Sequence, residues 1–179
     1  MVMKNYNIFL IGFMGAGKSS VSGCLSREYG MDAVEMDEVI AKREGMGIPE
    51  IFEKRGEEYF RRLETELLIE IQSRNNAVVS CGGGAAMREQ NVAEMKKNGK
   101  VVLLTACPET ILNRVKDSDE RPLLNGHKDV KYISGLMEAR RERYEAAADI
   151  VVDTEGKSVS QICGELLEKL QEMDDRKEL

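Results

Sequence analysis

The sequence predicts an α/β fold, a three-layer α/β/α sandwich around a central five-stranded parallel sheet. Three observations carry that prediction. Five short apolar runs, at 8–11, 33–36, 77–81, 101–105 and 150–152, are strand-like in length and composition. Helix-compatible stretches separate them, and such alternation implies a parallel sheet covered on both faces. Finally, the loop after the first run, Gly12-Phe13-Met14-Gly15-Ala16-Gly17-Lys18-Ser19, fits G-x-x-x-x-G-K-[ST] at every fixed position. Right-handed crossovers would gather the loops after the strands along one sheet edge, where ligands bind.

The elements follow in order. Run 8–11 is the strand feeding the phosphate loop. Residues 20–29 place Val21, Cys24 and Leu25 on one helical face and meet Gly30 as a stop. The second strand ends in Glu35-Met36-Asp37. Residues 31–64 are charge-rich and hold two short helical pieces around Ile40 and Ile51. Residues 57–73 space Tyr59, Phe60, Leu63, Leu67 and Ile71 as a helix. A helix over 87–97 carries Val92 and Met95 and meets Gly99 as its stop. Pro108 suits the first turn of a helix running to Val115. The polar stretch 116–127, KDSDERPLLNGH, reads as a mobile lid, because patterned helix resumes beyond it. Val159, Ile162, Leu166 and Leu170 mark a closing amphipathic helix over 158–173, with 174–179 frayed.

At 179 residues the chain suits a single domain with its own core. The net charge of −6 argues against a general nucleic-acid or membrane-surface binder. No apolar run approaches a membrane span, and the N-terminus lacks a signal-peptide core. Cys24, Cys81, Cys107 and Cys163 form no C-x-x-C pair, and one histidine gives no zinc signature. Reduced, mostly buried thiols in a cytoplasmic protein are expected. Without a coiled-coil heptad or an apolar surface stripe, a monomer is expected.

The phosphate loop explains its own composition. Its glycines let backbone N–H groups wrap a phosphate, and the following helix adds positive charge from its N-terminus. Lys18 reaches the β- and γ-phosphates, and Ser19 offers a hydroxyl to Mg²⁺. Three further stretches are less decisive alone. Glu35 and Asp37 at a strand end suit a metal-water holder and a substrate acceptor, although Asp37 also reads as a helix N-cap. Arg61 and Arg62, in EEYFRRLE, suit either solvated cations or partners of nearby glutamates. Ser80-Cys81-Gly82-Gly83-Gly84 follows a strand, and three glycines there imply close approach to the backbone.

Taken together and in order, these motifs resemble the shikimate kinase family, in the nucleoside-monophosphate-kinase-like group of P-loop NTPase folds. GFMGAGKS, the acid pair, IFEKRGEEYFRRLE, GGGA, ERPLL, and Arg140-Arg141-Glu142-Arg143-Tyr144 followed by Ala148-Asp149 carry the likeness, which spans about residues 5–172. The resemblance implies ATP-dependent phosphorylation of the shikimate 3-hydroxyl, with ATP and Mg²⁺ required. It implies that Gly12, Met14, Gly15, Ala16, Gly17, Lys18, Ser19 and Ser20 cradle the nucleotide and that Arg114 stacks near adenine. Arg121, in ERPLL, is the implied lid arginine over the phosphates, and with Lys18 and Asp37 makes the catalytic set. Asp37 would meet the substrate hydroxyls, Arg61 and Arg140 would clamp the carboxylate, and Gly82, Gly83 and Gly84 would lie against the ring. Ser19 would hold the metal directly, and Glu35 and Ser80 through water. One departure stands out. The family reads Asp-Thr-Asp where this chain reads Glu35-Met36-Asp37, so the metal-side acid is one methylene longer and a hydroxyl is missing at 36.

Two other readings remain open at this stage. Another small-molecule kinase, acting on gluconate or a nucleoside monophosphate, shares the phosphate loop. For a nucleotide acceptor, a base pocket and further phosphate-binding arginines would be needed. A nucleotide-sensing domain would bind ATP without transfer.

Overall fold

The computed structural model describes residues 6–116 and 129–177. In chain order the elements are β1 (Asn7–Ile11), α1 (Lys18–Tyr29), β2 (Asp32–Glu35), α2 (Met36–Glu44), α3 (Ile48–Arg55), α4 (Glu57–Ile71), β3 (Ala77–Ser80), a short 3-10 turn (Ala85–Met87), α5 (Glu89–Lys97), β4 (Gly99–Thr105), α6 (Pro108–Val115), α7 (Val130–Ala147), β5 (Ile150–Asp153) and α8 (Val159–Lys177). The strands form one five-stranded sheet in the order β2-β3-β1-β4-β5 with every pairing parallel.

Two apolar cores cover the two faces, as the period-two alternation of β1 requires. Ile8 and Leu10 point to one side with Val78, Val102, Leu104 and Val152, against Leu25 of α1, Ile111 of α6 and Leu166 of α8. Phe9 and Ile11 point to the other with Val34, Val79 and Leu103, against Ile40, Ile51, Leu68 and Met95 of α2 to α5. Each fully buried side chain of this size contributes about 1.5–3 kcal/mol through removal of apolar surface from water. The core thereby fixes β1 and β3 rigidly, and their C-terminal ends lie side by side. β1 is also the switch point of the winding: the chain first fills the β3–β2 side, then crosses to β4 and β5. That is where a ligand crevice is expected in an open α/β sheet.

The fold corrects four local expectations. Met36 does not end a strand. It opens α2 and is fully buried in the second core, so no loop separates Glu35 from Asp37. The helix N-cap is accordingly Glu35, and Asp37 lies inside the first turn. Gly99 is not a helix stop but the first residue of β4; a Cβ there would stand 2.5 Å from the Phe9 ring. Asp174 is not frayed: α8 continues to Lys177, and the buried Asp174 carboxylate accepts a hydrogen bond from the Tyr6 hydroxyl at 3.1 Å. Gly30 does stop α1, with φ 68° and its N–H turned back to Leu25 and Ser26. Cys24, Cys81 and Cys163 are buried free thiols, whereas Cys107 is exposed. Among the described residues no helix is long and apolar enough to cross a membrane.

Candidate active site

The phosphate loop leaves β1 and enters α1 with no residue between Gly17 and the helix. Gly12 has φ 141°, and a Cβ on it would fall on the Leu104 carbonyl, so only glycine fits that position. Gly15 has φ 77° and lies against α6, where a Cβ would come within 2.8 Å of Val115. Met14 and Ala16 are buried and anchor the loop in the first core, while Ser19 and Ser20 are exposed at the start of α1. The Lys18 ammonium arches back over the loop, donating to the Gly12 carbonyl at 2.8 Å and the Phe13 carbonyl at 3.1 Å. Arg114, in the last turn of α6, donates to the Gly15 carbonyl at 2.9 Å and to the Thr154 hydroxyl at 3.3 Å. Thr154 in turn donates to the Thr105 carbonyl at 2.9 Å, which fastens the end of β5 to the end of β4.

Three oxygen-bearing side chains meet beside α1. The Ser19 hydroxyl donates to Glu35 Oε2 at 2.7 Å and lies 3.3 Å from the Ser80 hydroxyl. Hard oxygen donors of this kind suit Mg²⁺, which keeps several waters and leans on few protein ligands. The longer Glu35 therefore reaches the serine the sequence paired it with. The other half of the departure, Met36, falls in the core and faces away from this cluster.

Asp37, Arg61 and Arg140 come from three different helices and converge on the glycine loop. The Asp37 carboxylate is exposed, and its Oδ1 would stand 3.1 Å from a Cβ on Gly82. Arg61 projects from α4 under Gly84, where a Cβ would lie 2.5 Å from its Cζ. Its guanidinium sits over the Phe52 and Phe60 rings at 5.9 and 5.4 Å. It pairs with Glu57 at 3.0 Å and Glu64 at 2.8 Å. Arg62, by contrast, is a solvated cation paired loosely with Glu66 at 3.5 Å. Arg140 projects from α7 toward Gly83, donating to its carbonyl at 3.4 Å, and lies over the Phe13 ring at 5.8 Å. Gly83 in turn approaches the phosphate loop, since a Cβ on it would be 4.0 Å from the Gly12 carbonyl that receives Lys18. The two half-sites thus share one wall. Arg121 and all but the first residue of the stretch 116–127 expected to form a lid lie outside the described residues.

Sequence reasoning passed over Glu64 and Tyr144. Glu64 is fully buried, its Oε2 taken by Arg61 and its Oε1 without a hydrogen-bond partner, 2.5 Å from where a Gly82 Cβ would be. Burial pushes its carboxyl up to about 7; the Arg61 charge and hydrogen bond oppose that shift, and the Asp37 charge adds to it. Burial also works against the Arg61 cation, but Glu64 and Glu57 outweigh it and raise its pKa. The available signal was position: Glu64 sits among Phe60, Leu67, Leu68 and Ile71 on the buried face of α4. Tyr144 is buried one turn after Arg140, and its hydroxyl donates to the Gly83 carbonyl at 2.5 Å. Behind the glycine loop, buried Thr65 donates to Asn91, which donates to the Ala85 carbonyl at 2.9 Å and holds the 3-10 turn.

A phosphate-binding loop at the switch point of a parallel sheet, with the Arg61 and Arg140 guanidinium groups set against the adjoining glycine loop, defines a P-loop kinase of small molecules. The comparisons narrow the class. The shikimate kinase family model matches residues 14–171, and the chain belongs to that family. A shikimate kinase of Dehalococcoides mccartyi is 42% identical over 98% of this chain and 98% of its own. The structure of shikimate kinase from Acinetobacter baumannii in complex with shikimate superposes with a TM-score of 0.88 at 32% identity, covering 94% of each chain. A gluconokinase from Sinorhizobium meliloti, at 18% identity and a TM-score of 0.61, shares the fold alone.

Proposed function

We propose that the chain transfers the γ-phosphoryl group of ATP to the 3-hydroxyl of shikimate, giving shikimate 3-phosphate and ADP. Membership of the shikimate kinase family supports the reaction. The observation that carries the site assignment is the shared wall: Gly83 approaches the carbonyl that receives Lys18 while also accepting from Arg140. An acid held by Arg140 and Arg61 would then present its far end to the phosphate loop.

Phosphoryl transfer asks for in-line placement and positive charge more than for covalent chemistry. Backbone N–H groups of 12–20 would hold the triphosphate, and the Lys18 ammonium would turn from loop carbonyls to phosphate oxygens. Arg114, already fixed over Gly15, would bear on the adenine side. Ser19, with Glu35 and Ser80 acting through water, would hold Mg²⁺, which would supply positive charge to the transferring phosphoryl group. Asp37 would accept the hydrogen bond of the attacking hydroxyl and orient its lone pair; an ionised carboxylate is an acceptor only. The planar guanidinium groups of Arg61 and Arg140 suit a carboxylate in a two-pronged fashion. Arg121, on the lid over 116–127, would close over the phosphates and exclude water. The reading includes a single kinase domain, with residues 31–64 serving the acceptor, working as a cytoplasmic monomer.

A coupled ADP-release assay tests it. Turnover should require ATP, Mg²⁺ and shikimate together, and gluconate or a nucleoside monophosphate should not replace the acid. ADP release unchanged by shikimate would defeat the proposal.

A further inference from the structure

We propose that Tyr144 is a positioning residue for the acid-binding site, its hydroxyl occupying the Gly83 carbonyl so that the Arg140 guanidinium is left for the substrate carboxylate. The inference rests on the acceptor site proposed above and deepens it.

The geometry is a contest for one oxygen. Tyr144 Oη donates to the Gly83 carbonyl at 2.5 Å, and Arg140 Nη1 reaches the same oxygen at 3.4 Å. Arg140 and Tyr144 stand one helical turn apart on α7, so their side chains share a face. A Cβ on Gly83 would be 3.6 Å from Arg140 Nη1 and 3.9 Å from Tyr144 Oη. The carbonyl is therefore flanked by both donors, and the short bond belongs to the tyrosine. A charged donor normally outcompetes a neutral one for a carbonyl. Here it does not, because the phenol is buried at 5% exposure and is held by its surroundings in the second core. The same burial raises its pKa, opposed by the charge and hydrogen bond of Arg140, so the hydroxyl stays a donor throughout the physiological range. Removing that hydroxyl would leave the Gly83 carbonyl to Arg140 alone. The guanidinium would then satisfy backbone, and the acid would have to displace it.

The test is Tyr144→Phe, which keeps the ring in the core and deletes only the donor. The KM for shikimate should rise about tenfold, the size of one lost buried hydrogen bond, with kcat and the KM for ATP nearly unchanged. The calorimetric Kd for shikimate should move by the same factor. In an Arg140→Ala background, Tyr144→Phe should have little further effect, because the tyrosine acts through the arginine. An undiminished effect in that background, or an equal loss toward ATP and shikimate, would show a general packing role and overturn the inference. So would a Tyr144→Phe protein with wild-type KM. Absence of shikimate-dependent turnover in the unaltered chain is a different result: it removes the proposed acceptor itself.

Discussion

The two halves of the site are held together by different forces. The nucleotide half is a backbone device. Its parts are contiguous from Gly12 to Ser20, its shape comes from glycine dihedrals, and its charged member, Lys18, rests on loop carbonyls. The acceptor half is a side-chain device. Asp37, Arg61 and Arg140 arrive from α2, α4 and α7; Glu57 and Glu64 brace Arg61, and Tyr144 shares the Gly83 carbonyl with Arg140, with Glu64 wholly out of water. In the first half recognition and stability are separable. In the second they are joined, because Arg61, one of the groups proposed to meet the acid, is also the partner of a buried carboxylate.

That contrast makes unequal predictions. The largest concerns Lys18→Ala, which should lower turnover by about 10³-fold, since a preorganised charge aimed at the phosphates is removed. Its melting midpoint should stay close to wild type; residual turnover within tenfold of wild type would end the assignment of Lys18. Next comes Arg61→Ala. We expect kcat/KM for shikimate to fall about 100-fold, as for truncating one partner of a buried charged pair. ATP binding should be spared. Unlike Lys18→Ala, this variant should also unfold more readily, by about 1–3 kcal/mol, because Glu64 loses its hydrogen-bonding partner. Denaturant titration of both variants would show whether stability separates the halves as described.

A third effect is in pH. The Glu64 carboxyl is raised in the folded protein from 4.5 to about 7. The folded state therefore holds more protons than the unfolded state between these values. The stabilisation from this group is complete below about 4.5 and is lost as pH rises through about 7. Arg61 and Arg88 oppose the shift and Asp37 reinforces it. Glu64→Gln should flatten this part of the stability–pH curve, measured by denaturant midpoints across the interval. An unchanged slope would mean that Glu64 is ionised throughout. The smallest effect is expected from Glu35→Asp, a shift within about threefold in the Mg²⁺ concentration for half-activation, because a metal that keeps several waters can absorb one methylene. A complete loss of activity would show that the longer acid is specifically needed.

Legibility in the sequence followed the same division. The phosphate loop was readable because its chemistry is local: a strand, a glycine turn and a helix start must adjoin for N–H groups to converge. The sheet was readable because buried parallel strands are short apolar runs between helices. Met36 was misjudged because period-two and period-3.6 patterns agree over so few residues at a strand–helix junction. Gly99 looked like a stop because the Phe9 ring that forbids a side chain there lies on another strand.

The chain by itself determined the fold class and the phosphate loop, since each depends on neighbours within a turn or a strand, while the acceptor residues Asp37, Arg61 and Arg140 were legible only through the resemblance of the ordered motifs to a family. Only the tertiary structure decided that Glu64 is buried with one oxygen unpartnered, and that Tyr144 and Arg140 address one carbonyl. These are facts of burial and of distance between segments far apart in sequence. Desolvation and hydrogen-bond competition depend on what packs around a group, and no local pattern records that.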